Sequence, residues 1–89
     1  SMPWITCVDQ EVNEALSYVY LIAYERVFDF DKTIGALEVL LDATHIPPHG
    51  ISRRNSTYYV RTDQLRERIS LWEKKLLKRR VCEPIMHWP

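Results

Sequence analysis

Cys7, His45, His49, Cys82 and His87 are the residues of this chain whose types suit zinc, and the three-residue gap between His45 and His49 occurs in real sites. Pro47-Pro48 lies inside that gap and forbids the helix that would aim the pair, and no Cys-x-x-Cys anchors the other side. The expectation is no zinc, with solvated histidines and both cysteines reduced. A Gly-rich phosphate loop, a nucleophile elbow and a carboxylate pair in a pocket signature are all missing from the sequence. The chain therefore reads as a non-enzyme without a cofactor.

The second chemistry is that of charge. Residues 1–50 hold Arg26 and Lys32 against eight acids, whereas residues 51–89 hold ten bases against four acids, giving halves of −6 and +6. Such a division means either two faces that meet inside one fold or a basic surface kept for an acidic or phosphate-rich partner. On a helical wheel Arg68, Lys74, Lys75, Lys78 and Arg79 fall in one arc with Leu71 among them. Arg53, Arg54 and Arg61 add a basic loop, and Arg53-Arg54-Asn55-Ser56 matches the preference of many Ser kinases. Tyr58 and Tyr59 lie off the helical stripes with Trp88, and exposed aromatics of this kind anchor partners. These ten bases and tyrosines, Arg53, Arg54, Tyr58, Tyr59, Arg61, Arg68, Lys74, Lys75, Lys78 and Arg79, form the candidate partner-binding set.

The elements that must position them are read from periodicity. Thr6-Cys7-Val8-Asp9 can serve as a capping box, opening a first helix whose inner face is Val8, Val12, Ala15, Val19, Ile22 and Ala23. Asp31 is placed to cap a second, short helix with Ile34, Leu37, Leu40 and Leu41 inward, and Gly35 is expected at a close helix–helix approach. His45 to Gly50 ends it through consecutive prolines. Residues 51–61 read as a loop, since Thr57–Val60 has strand propensity but no evident partner strand. Thr62 or Asp63 caps a third helix to about Arg80, where Leu65, Ile69, Trp72 and Leu76 give a narrow seam at four-three-four spacing. Glu83-Pro84 stops it, and Ile85, Met86 and Trp88 are expected to fold back as an apolar tail.

The fold class expected is all-α: a single three-helix domain over residues 1–89, with a long loop between helices two and three. Ser1-Met2 reads as an expression scar and the domain as one excised from a larger protein. No apolar stretch reaches the roughly 20 residues a bilayer span needs, so no membrane partner is expected. Asn55-Ser56-Thr57 matches a glycosylation acceptor, a pattern frequent by chance. A three-helix order with a basic last helix is superficially that of homeodomain-like readers. The chain departs from them in lacking an Asn beside Trp72 to take adenine and in its long link before the third helix. A winged-helix reading needs two strands where one is evident.

The function expected is a protein–protein interaction module, monomeric or weakly dimeric, of an intracellular, nuclear protein acting in transcription regulation. Its partner would present an acidic or aromatic-accepting surface. The nuclear placement rests on Lys74-Lys75-Leu76-Leu77-Lys78-Arg79-Arg80, which resembles a short import signal. A helical DNA- or RNA-binding domain using the same basic face is the alternative.

Overall fold

The computed structural model describes residues 2–54 and 57–85, with the backbone alone at positions 53, 54, 57 and 58. In chain order it runs β1 (Ile5–Cys7), α1 (Gln10–Tyr20) continuing into a π-helical segment (Leu21–Glu25), α2 (Phe30–Thr44), β2 (Ile51–Arg54), β3 (Thr57–Val60), α3 (Thr62–Lys78) and β4 (Cys82–Pro84). The all-α expectation is corrected: the chain is mostly helical but carries two small antiparallel sheets, β1 with β4 and β2 with β3. Three- and four-residue strands are too short to show a period of two, which is why the sequence hid them.

The apolar seams meet in one core. Leu65, Ile69, Trp72 and Leu76 of α3 are buried together with Val12, Leu16, Val19 and Ile22 from the first helix and Leu37 and Leu40 of α2. Trp72 is fully enclosed, and its indole Nε1 donates to the Ile46 carbonyl at 3.0 Å, so the ring is buried with its one polar atom satisfied. That bond also ties the proline-rich link after α2 to the middle of α3. Val8, expected inside, is 95% exposed, because the segment before α1 is extended rather than helical.

The caps differ from those expected. Asp9 caps α1 by accepting from the Glu11 N–H at 2.8 Å, while Thr6 sits within β1. Asp29, rather than Asp31, caps α2 by accepting from the Lys32 N–H at 3.1 Å. The Tyr18 hydroxyl holds it there, accepting from the Asp29 N–H at 2.7 Å. Arg61 takes the cap position of α3 with no side-chain bond. Gly35 is in open space, with nothing within 4 Å of a Cβ built on it, so the close-approach reading is corrected. Gly50 has the crowded role instead: its φ is +96°, and a Cβ there would lie 2.8 Å from the Leu65 backbone nitrogen.

β1 and β4 bring the cysteines together. The register pairs Ile5 with Pro84, Thr6 with Glu83 and Cys7 with Cys82. The ladder continues at both ends, Ile85 N–H to the Trp4 carbonyl and Val8 N–H to the Val81 carbonyl. Alternation along an antiparallel pair then puts Cys7 opposite Cys82, and Ile5 opposite Pro84, at positions that exchange no backbone hydrogen bonds. Pro84 consequently loses nothing by lacking an N–H. Cys7 and Cys82 form a disulfide, with Cα atoms 3.9 Å apart, and no free cysteine exists. This overturns the expectation of reduced thiols: a separation of 75 residues in sequence is closed by a three-residue strand pair. Asn13 seals the outer edge, its Oδ1 accepting from the Cys7 N–H and its Nδ2 donating to the Cys7 carbonyl.

Candidate functional site

The end of the first helix is shaped by α3. Arg66 sends Nε and Nη2 to the Ala23 carbonyl at 3.1 and 2.9 Å and lies over the Tyr24 ring, 4.5 Å from its centroid. Within the π-helical segment Val27 N–H reaches back to the Leu21 carbonyl, leaving Ala23 without the partner an α-helix would give it. The guanidinium supplies that partner. Tyr20 stacks on Tyr24 at 5.5 Å, and its hydroxyl donates to Glu73 Oε2 at 2.6 Å in the buried core. Burial, with the Glu73 carboxyl beside it, pushes the Tyr20 phenol well above its ordinary range.

Arg26 ends the segment in the left-handed region, φ 56°, and turns the chain outward. Val27, Phe28 and Phe30 follow it, with Tyr24 just before, as exposed apolar side chains. Across from them β3 delivers Tyr59 to the start of α3. The result is a groove of about 520 Å³ lined by Ile22, Arg26, Phe28, Tyr59, Val60, Arg61, Thr62 and Asp63. Tyr59 is 57% exposed on its rim. Arg26 and Arg61 set two guanidinium groups there against the single carboxylate of Asp63.

The sequence-derived set does not converge on one place. Tyr59 and Arg61 belong to this groove, and the backbone register sets Arg53 opposite Tyr58 and Arg54 opposite Thr57 on the adjoining hairpin. The side chains of Arg53, Arg54 and Tyr58, and all of Ser56, Met86, His87 and Trp88, lie outside the described residues. Lys74, Lys75, Lys78 and Arg79 lie at the far end of α3, roughly 20 Å along the helix from Arg61. Two members of the basic arc are structural. Arg79 donates to the Ala43 carbonyl near the end of α2, and Arg68 meets His49 Nδ1. Lys75 and Lys78 occupy the last turn, where cations favour the helix dipole.

Among the described residues no His, Cys, Asp and Glu group could hold a metal. Of the zinc-type residues, Cys7 and Cys82 bond each other and His49 meets Arg68. Arg26 and Phe28 were not in the sequence-derived set. The signal for Phe28 was present, since it prolongs an apolar run beyond the point where the inner face of the helix is already full; nothing in the sequence pointed to Arg26. No helix among the described residues is long and apolar enough to cross a membrane. No protein-family model, curated protein or solved structure matches the chain.

Proposed function

We propose that this chain is a non-enzymatic protein-interaction module that takes a short peptide segment, apolar at its centre and acidic at its flanks, in the groove between the end of the first helix and the β3–α3 junction. The observation that carries the reading is Tyr59, 57% exposed on the rim of a groove with Phe28 and Val60 among its apolar lining and Arg26 and Arg61 as its bases. An aromatic with a polar tip anchors at little entropic cost, and guanidinium groups pair carboxylates bidentately. The nuclear placement is not carried forward. Lys74–Arg80 closes a helix in which Leu76 is fully buried, and disulfides persist in oxidising compartments.

Fluorescence polarisation of labelled peptides with a Leu, Phe or Trp between Asp and Glu residues, against Lys-flanked controls and a 20-base-pair duplex, tests this. The acidic peptides should bind with a shallow salt dependence, and Tyr59→Ala and Arg61→Glu should each weaken them about tenfold or more. Duplex binding that falls roughly 10³-fold or more between 50 and 200 mM salt, with the peptides silent, would replace this reading with nucleic-acid recognition. Peptide binding indifferent to Tyr59→Ala would sink it.

A further inference from the structure

The charge division found in the sequence reaches the surface of the described residues. All eight acids of residues 1–50 are exposed, and no ion pair joins Glu11 or Glu14 to the bases of α3 among the described residues. Two outward surfaces carry the imbalance. Glu11 and Glu14 stand over a groove of about 420 Å³ between α1 and α2, with Ala15, Gly35, Ala36 and Val39 below them and Lys32 the one base in its lining. The open space above Gly35 leaves room for an incoming side chain.

The complementary surface is on α3. Leu71, Lys74 and Lys78 recur at three- and four-residue spacing, on the side of the helix opposite the buried seam of Leu65, Ile69, Trp72 and Leu76. Leu71 is 43% exposed, and Lys74 and Lys78 flank it in solvent. An apolar centre with two ammonium groups thus faces away from the core on one helix. An apolar floor with two carboxylates opens between the other two.

We propose that the α1/α2 groove of one molecule receives the Leu71–Lys74–Lys78 face of α3 from a second copy, in a head-to-tail contact. A helix face laid in a groove suits the shapes, and the charges select the partner. Because the two surfaces are different and lie on separate helices with the core between them, the contact is heterologous and can repeat from copy to copy. It shares no residue with the Tyr59 groove, so either reading can fail without the other.

Sedimentation equilibrium of the full chain tests it at low and at 0.5 M salt. Wild type should associate with rising concentration at low salt and lose that association in high salt, where the screening length falls to a few ångströms. Lys74→Glu/Lys78→Glu and Glu11→Lys/Glu14→Lys should each be monomeric alone, yet associate at one-to-one stoichiometry when mixed, since each groove then meets an α3 face of opposite charge. Gly35→Phe, which fills the groove without altering charge, should also be monomeric while keeping a wild-type circular dichroism spectrum. A wild type that stays monomeric at low salt to millimolar concentration, or a mixture of the charge variants that never pairs, overturns the proposal.

Discussion

The Tyr20 hydroxyl donates to Glu73 Oε2 across 2.6 Å, joining the first helix to α3 through two residues separated by 53 positions. Both are buried, Tyr20 at 8% and Glu73 at 5% exposure, so each side chain is the other's means of satisfying a polar group away from water. Tyr20→Phe removes the donor and leaves the carboxyl buried. The expected loss is about 1 to 3 kcal/mol, read as a lowered denaturation midpoint. A variant as stable as wild type would mean that water reaches Glu73.

The same pair sets an alkaline limit. The Tyr20 phenol ionises near pH 10 in the unfolded chain but is held protonated well above that in the fold, by burial first and by Glu73 second. Its contribution to stability is therefore complete below about pH 10 and declines as the pH rises toward the folded value. Ultraviolet titration of wild type should show one tyrosine ionising only with unfolding. Tyr20→Phe should lose that late phase.

The two glycines should respond to alanine with opposite signs. Gly50→Ala must adopt a φ of +96° and place a methyl 2.8 Å from the Leu65 nitrogen and 2.9 Å from the Arg61 carbonyl oxygen, neither of which can move without disturbing the first turn of α3. A loss of roughly 2 kcal/mol or more is expected. Gly35→Ala adds a methyl to an open helix surface and should gain up to about 1 kcal/mol. Thermal melts of the pair, run side by side, read both signs.

Reduction of Cys7–Cys82 should be costly, because the bond closes a loop across a separation of 75 residues. Loop-closure entropy of that size corresponds to about 4 kcal/mol, a large share of the stability of a domain this small. Denaturant midpoints of the reduced protein and of Cys7→Ser/Cys82→Ser should agree with each other and fall well below that of the oxidised protein.

Trp72→Ala should cost about 3 to 5 kcal/mol through the cavity it leaves, with the Ile46 carbonyl also losing its donor. Trp72→Phe shifts the balance between the two effects, since it keeps much of the volume but removes the indole N–H with its five-membered ring. A melt of the alanine variant within a degree or two of wild type would mean that the seam is not the core.

How legible all this was in the sequence depended on distance along the chain. The seam of α3 could be read because four residues repeat at helical spacing, and its end at Lys78 lies within two residues of expectation. Thr6 was misread as a cap because its side chain suits one; pairing with Glu83, 77 residues away, makes it part of a strand instead. Asp31 lost the cap of α2 to Asp29 for a similar reason, a hydrogen bond from the Asp29 N–H to a tyrosine eleven residues earlier. The hairpin escaped because Ser52-Arg53-Arg54 has little intrinsic strand preference and is extended through Ile51 opposite Val60. For the candidate site, Tyr59 and Arg61 were legible as residues off the stripes. Their meeting with Arg26 and Phe28 was not, since it depends on how the π-helical segment turns the chain.

The Cys7–Cys82 bond also decides where a mechanical load would travel. Tension applied to Trp4 and Ile85 passes through the short pair of strands and across the sulfur bridge, so the 75-residue separation it spans never comes under load. Pulled from both flanks in its oxidised form, the domain behaves as an inextensible link only a few residues long. With the bond reduced, the same pull unzips two three-residue strands and reaches the hydrophobic core directly.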